Sequence, residues 1–331
     1  MVSNDLPLLR TSERMAYQKC RWAWWHEYVE CQQPSTAAPA LRFGHLIHKT
    51  LEAYYIKGSK RAKIDLADYF LLLYEKELKQ AEKGGFRDAD GQWNNAADLG
   101  AVMMEGYVEK YGDDERWRVL ATEMPFKVPV MHPRTGKPWF YYVGIIDLVV
   151  KDTQTGFIFL VDHKTTKDDP TKQPFLTLDE QAGAYWRYGR QFLYDNGILK
   201  PTGHGLNGIL FNFMKKAEPD VRKKNKEGYS LNQDGKVSKQ QPGALFFRHP
   251  VFRNDAEGQR VGERVLSQYS EIRKARRRQM AIYKSPSKMN CGTCSYRDIC
   301  ELHESGADWK SMRNATMGEW EPYSEHELEA A

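Results

Sequence analysis

Phe157-Ile-Phe-Leu-Val-Asp-His-Lys164 is the stretch on which the fold turns. Five apolar residues in succession follow the turn signal Gln154-Thr-Gly156 and predict a strand from Phe157 to Asp162. Alternate residues of a strand share a face, so Asp162 and Lys164 point the same way. Reading backwards, Trp139 to Lys151 predicts a second strand, with Asp147 at its middle directly after Gly144-Ile-Ile. His132-Pro-Arg-Thr-Gly-Lys-Pro138 reads as a turn, and Val119 to Val130 as the first strand of a meander. Hairpin-like pairing of the last two strands would set Asp147 beside Asp162. Carboxylates held together repel each other unless a cation sits between them. Their oxygens suit hard Mg2+ or Mn2+, which retains water and binds substrate phosphate. A lysine beside that metal can orient and help deprotonate an attacking water, or steady the charge that builds on a phosphate. An Asp-x-Lys pair is also a common surface ion pair at a strand end. Its place straight after a five-residue apolar strand is what favours chemistry.

Around the meander the periodicity is helical. Helices are predicted from about Ser12 to Val29, from Phe43 to Tyr55 with Leu46, Ile47, Leu51 and Tyr54 at helical spacing, from about Ile64 to Ala81 and from about Ala97 to Tyr111. Downstream come a helix from Leu178 to Tyr194, strands at Leu206 to Met214 and Ala244 to Val251, and a long helix from about Val261 to Tyr283. A Lys-rich, Gly-punctuated insertion, about 215–241, separates those two strands. The expected class is α/β, with a mixed central sheet and flanking helices. One domain is expected over 1–331, made of a helical flank (1–115), a core (116–255) and a C-terminal helix with a cysteine cluster (256–331). Trp22, Trp24 and Trp25 sit together on the first helix; aromatics can stack on bases of single-stranded DNA, yet core packing is the expected job of at least two of them.

The cysteines form a second pattern. Cys291-Gly-Thr-Cys294 and Cys300 place three thiols on one short segment, a spacing that serves a single metal or iron–sulfur centre. Cys20 is the candidate fourth ligand, which would tie the two ends of the chain together. The spacing is equally compatible with zinc and with iron–sulfur. Cys31 reads as a small buried apolar residue. Five cysteines in 331 residues are too sparse for a disulfide framework. The N-terminus has neither a basic region nor an apolar core, and the apolar runs are too short to span a membrane, so a cytoplasmic, reducing setting is expected. Hydrophobic residues at 41% exclude a disordered chain. A net charge of +5 is modest, but Arg273, Lys274, Arg276, Arg277 and Arg278 crowd one stretch, and Lys215, Lys216, Arg222, Lys223, Lys224 and Lys226 another. Such patches either attract phosphate backbones or are solvated surface. The Gly-x4-Gly-Lys-Ser/Thr phosphate loop is missing from the sequence, so no ATPase motor is expected.

Taken in order, Gly44-x-x-x-His48, Glu123, Gly144-Ile-Ile-Asp147, Asp162-x-Lys164, Gln181-x-x-x-Tyr185 and the split cysteines resemble the PD-(D/E)xK nuclease superfamily. Within it they are most similar to the RecB-like exonuclease branch with an iron–sulfur cluster, which includes the nuclease of CRISPR adaptation and AddB-type nuclease domains. The resemblance runs from Cys20 to Cys300. It implies a metal-dependent DNA exonuclease acting in recombination, repair or replication, on single-stranded DNA or on duplexes with ends, alone or with recombination or replication proteins. It implies that Asp147 and Asp162 hold Mg2+ or Mn2+ together with His48, Glu123 and the main-chain carbonyl of His163, and that Lys164 is the catalytic lysine. Asp113, Asp114 and Glu115, the acids nearest Glu123, look solvated in a polar turn. Gln181 and Tyr185 share a helix face and, by resemblance, position the lysine and the DNA; read from the residues alone, they are equally a polar residue beside a core tyrosine. Cys20, Cys291, Cys294 and Cys300 would carry a structural 4Fe–4S cluster. Ile146 stands where many members have proline, and Asp162 where many have glutamate.

Overall fold

In the computed structural model, which describes residues 6–35, 39–83, 92–200 and 205–324, the chain begins with a short strand, β1 (Leu8–Leu9), and helix α1 (Thr11–Lys19). The helix expected to continue to Val29 breaks at Cys20. Its extended backbone ends α1 and opens α2 (Arg21–Trp24), which runs on as a wide π turn over Trp25–Val29. Strand β2 (Gln32–Pro34) then leads to helices α3 (Pro39–Tyr54), α4 (Leu66–Lys83) and α5 (Gln92–Tyr111). The meander follows as β3 (Trp117–Met131), β4 (Pro138–Asp152) and β5 (Ile158–Thr166). The helix expected near residue 180 forms as α6 (Glu180–Ala184), a second π turn (Tyr185–Gly189) and α7 (Arg190–Asp195). Strands β6 (Leu206–Lys215) and β7 (Phe246–Phe252) complete the large sheet. Helix α8 (Asp255–Arg276) leads to α9 (Lys288–Cys291), α10 (Arg297–Glu304), α11 (Trp309–Thr316) and strand β8 (Met317–Glu319).

The sheet runs β1-β4-β5-β6-β7, with β3 also pairing β4. It is mixed, as the sequence predicts. β4 pairs antiparallel with β3 and β5, whereas β5 and β6 are parallel because the 180–195 helical stretch carries the chain back across the sheet. Apolar alternation along β5 sorts the faces. Phe159 and Val161 pack with Phe43, Ile47, Leu51 and Tyr107 of the N-terminal helices. Ile158 and Leu160 pack with Trp186 and Val265 on the other side. Each such fully buried side chain contributes about 1.5–3 kcal/mol. Helices therefore cover both faces, and the polar residues that end β5 are carried to the sheet's C-terminal edge. No described helix is long and apolar enough to cross a membrane.

Helix α8 stops at Arg276, before the predicted Tyr283. Arg278 adopts the left-handed conformation (φ +56°), and its N–H returns to the Ala275 carbonyl. The Lys-rich insertion folds on itself. Asp220 accepts from Arg222 and from the Ser230 hydroxyl, and short bridges join Lys224 to Ser230 and Leu231 to Val237. Cys31, expected to be buried, is half-buried and left-handed (φ +53°).

Candidate active site

Pairing between β4 and β5 ends at Leu148 with Val161, so Asp147 and Asp162 are the next residues on each strand as the two part. On the other side of β4, the pairs Thr122 with Leu148 and Met124 with Ile146 leave Glu123 opposite Asp147. Glu123 has φ +36°, a conformation that side-chain-bearing residues rarely adopt. The ladder is interrupted there, the sort of irregularity that re-aims a side chain next to a site. Three acids thus form a row across the sheet.

His48, from α3, places Nδ1 3.2 Å from Asp147 Oδ2. One ligand atom each from His48, Glu123 and Asp147 lies within 4.8 Å of the others. Asp162 stands outside that set. Its Oδ2 is buried, and Lys164 Nζ approaches to 2.9 Å without the angle of a hydrogen bond. Asp162 and Lys164 therefore do share a face. The main-chain N–H of His163 donates to Asp147 Oδ2 at 2.9 Å, which locks the two strands together at the fork.

Charge is concentrated here. Burial and the neighbouring Asp147 push Glu123 up to about 7. Burial, only partly countered by Lys164, pushes Asp162 up to about 6. Burial acts the other way on His48, but Asp147 overrides it and raises the imidazole to about 9. The resulting imidazolium outweighs the burial of Asp147 and holds that carboxylate below its usual range. A carboxylate-rich set with one imidazole and a buried, poorly satisfied carboxylate oxygen suits Mg2+ or Mn2+, so the residues present fit a hard divalent cation.

Lys164 Nζ donates to Gln181 Oε1 at 3.0 Å. Gln181 sits in the first turn of α6, capped by Asp179, which accepts from the Ala182 N–H. The following residue back, Glu180, is held by the buried Arg14 (2.6 Å) and by Arg264 (2.9 Å), which fixes the start of this helix. Tyr185 accepts from the Ile145 N–H at 3.4 Å. Gly44, His48, Glu123, Asp147, Gln181 and Tyr185 all line one cleft of about 980 Å³. A Cβ on Gly144 would lie 2.7 Å from Phe126 and 2.8 Å from Tyr185. Gly144→Ala should therefore lower stability by about 1–3 kcal/mol and displace the tyrosine. A urea midpoint equal to wild type would show that neither ring is held as described.

Sequence reasoning missed the layer behind the site. The His163 ring, driven down to about 3 by burial, is neutral, and its Nδ1 lies 2.8 Å from the Asn212 amide. Asn212 also donates to Tyr107, which meets Tyr55, and Tyr55 donates to Asp114. Arg248 closes the network at 2.6 Å from Asp114. Asp114 is thus a buried partner and not the solvated turn residue expected; it faces inward because Arg248 neutralises it. The signal lay in residues 134 positions apart, which no local pattern connects.

Cys20 meets the C-terminal cluster. Burial raises the Cys294 and Cys300 thiols, and the charge of Cys20 adds to both. Asn290 donates to the Lys19 carbonyl, and Trp22 N–H to that of Tyr283. Among the described residues no three of these sulfurs lie within 4.8 Å of one another.

A search of curated proteins finds no match to this chain. Among solved structures, a candidate exonuclease from Eubacterium rectale is similar at 11% identity and a TM-score of 0.44, over 88% of this chain and 87% of that one. The family model of the PD-(D/E)XK nuclease superfamily matches residues 11–301, from the first residue of α1 to just past the last cysteine. With that match spanning the row of acids, the lysine and the cysteine cluster, the chain belongs to the PD-(D/E)XK nuclease superfamily.

Proposed function

We propose that this protein is a metal-dependent deoxyribonuclease that degrades DNA from its ends, with roles in recombination, repair or replication. The observation that carries the reading is the triad of His48, Glu123 and Asp147 within 4.8 Å, with Lys164 pinned beside Asp162 at the same fork. Asp147, Glu123, Asp162, the His163 carbonyl and a deprotonated His48 would hold Mg2+ or Mn2+. When bound, the ion supplies a Lewis acid and acidifies a water. The chain's own residues do the rest. Lys164 Nζ, steadied by Gln181, donates to the attacking water or to a phosphate oxygen. Tyr185 and Gln181 wall the cleft in which the backbone would lie. Glu123 and Asp162, whose carboxyl groups sit near neutrality, can hold a proton at a carboxylate oxygen when no cation is present.

Cys20, Cys291, Cys294 and Cys300 are proposed to carry a structural 4Fe–4S cluster. Their grouping from both ends of the chain and the resemblance of the split-cysteine pattern to the iron–sulfur branch support this.

The test uses end-labelled linear and closed circular DNA, single- and double-stranded, with Mg2+ or Mn2+. Linear DNA should disappear while circles survive. Opened circles would make the enzyme an endonuclease, and intact DNA of every form would leave a non-cleaving DNA-binding module.

A further inference from the structure

A second cavity of about 630 Å³ lies where the chain leaving α8 crosses α2, away from the row of acids. Trp22, Trp25, Arg278, Met280, Ile282 and Lys284 form most of its wall. The three tryptophans of this segment part company here. Trp24 is fully buried in the core, whereas Trp22 and Trp25 are half-exposed at the cavity.

Both indoles carry a cation. The Arg278 guanidinium lies 4.9 Å from the Trp25 ring centroid, and Lys284 Nζ lies 5.1 Å from that of Trp22. Lys284 is fixed by the Cys300 carbonyl and by Glu304 at 2.7 Å. Among the described residues Arg273, Lys274, Arg277 and Arg278 have no carboxylate partner. A helix C-terminus attracts cations by itself, which accounts for Arg273 and Lys274. It does not account for Arg278, whose left-handed backbone is a place for glycine and strains any residue with a Cβ. That strain is retained at a position whose side chain reaches over an indole of the cavity.

Two aromatic walls and the Arg278 guanidinium on one of them match the chemistry of a nucleotide, a base to stack and a phosphate to neutralise, and the one carboxylate among the described lining residues, Glu304, is engaged by Lys284. Bases within a duplex stack on one another, so the occupant has to be unpaired. We propose that this cavity binds one or two nucleotides of single-stranded DNA, with bases against Trp22 and Trp25 and a phosphate on Arg278. The choice of DNA rests on the nuclease reading above; the shape and charge of the cavity do not.

The measurement is anisotropy of fluorescein-labelled oligothymidylate in buffer without added divalent ion, so that binding is read without cleavage. Arg278→Gly removes the guanidinium while relieving the strain, so its Tm should equal or exceed that of wild type. It should bind the oligonucleotide roughly tenfold more weakly, with a salt slope shallower by about 0.7. Trp25→Phe keeps an apolar ring and should also weaken binding and reduce the tryptophan quenching caused by the oligonucleotide. Binding of a blunt duplex should be unchanged in both. Wild-type affinity and salt slope in both variants would overturn the proposal while leaving the nuclease assay untouched. Wild-type protein that binds through these residues but cuts nothing with Mn2+ would keep the cavity and remove the nuclease.

Discussion

Lys164→Ala is expected to lower the rate of DNA cleavage by roughly 10²–10⁴-fold while binding of a labelled oligonucleotide stays close to wild type. The lysine is held on two sides before any substrate arrives, by Asp162 at 2.9 Å and by Gln181 at 3.0 Å. Such preorganisation is what makes a charged donor effective, because nothing has to reorient when charge develops on the phosphate. A kcat loss with little change in KM would place the lysine in the transition state; a matching loss of binding would make it a substrate anchor instead. Lys164→Arg separates two roles. Guanidinium keeps the positive charge but does not give up a proton in a protein, so substantial rescue means charge stabilisation and failure means proton handling or the compact ammonium geometry. Cleavage by Lys164→Ala at the wild-type rate would leave Asp162 and Lys164 as an ordinary ion pair at the end of a strand.

Much of this site was legible because it is written in period-two patterns. Phe157 to Val161 had to be a buried strand, and that alone fixed Asp162 and Lys164 on one face, as their 2.9 Å approach bears out. Asp147 and Asp162 could be paired because a short turn set the register of β4 against β5. Glu123 was found by its order in a family pattern and not by periodicity, for a physical reason: its positive φ interrupts the ladder, and no residue type near it announces that. The extended break at Cys20 was hidden for the opposite reason, since apolar residues on both sides of it continue a helical rhythm. The network from His163 through Asn212, Tyr107 and Tyr55 to Asp114 and Arg248 was invisible. Its members come from distant elements and are polar, so the periodicity that finds cores passes over them. Burial without charge balance would be costly, and only the folded chain shows that Arg248 supplies the balance.

Cys20→Ser should bleach the protein near ~400 nm, where an iron–sulfur cluster absorbs and zinc does not, and should free the segment beyond α8 for proteolysis. Other contacts hold that segment too: the three-residue β2–β8 ladder, hydrogen bonds from the Tyr296 hydroxyl to the Gln32 carbonyl, from the Asn290 amide to the Lys19 carbonyl and from Tyr323 to Glu13, and ring contacts of Trp22, His26 and Tyr28 with Tyr296, Trp309 and Trp320. The Arg313–Glu30 ion pair is partly exposed, and pairs of that kind are worth about 0–1 kcal/mol. Structural metal sites contribute far more, on the order of 10 kcal/mol in small zinc modules. Removing the one N-terminal ligand should therefore loosen the segment around the cysteines while the sheet, with its own two helical layers, keeps its secondary structure. Limited trypsin digestion would show early cuts among the many Lys and Arg residues after Arg276, with far-UV circular dichroism little changed. Cys31→Ser is the control, because Cys31 lies outside the thiol group whose charges act on Cys294 and Cys300. A Cys20→Ser protein that keeps both its colour and its protease resistance would remove Cys20 from the ligand set. Colourless wild-type protein that binds one zinc and loses its resistance in Cys20→Ser would keep the staple and replace the cluster.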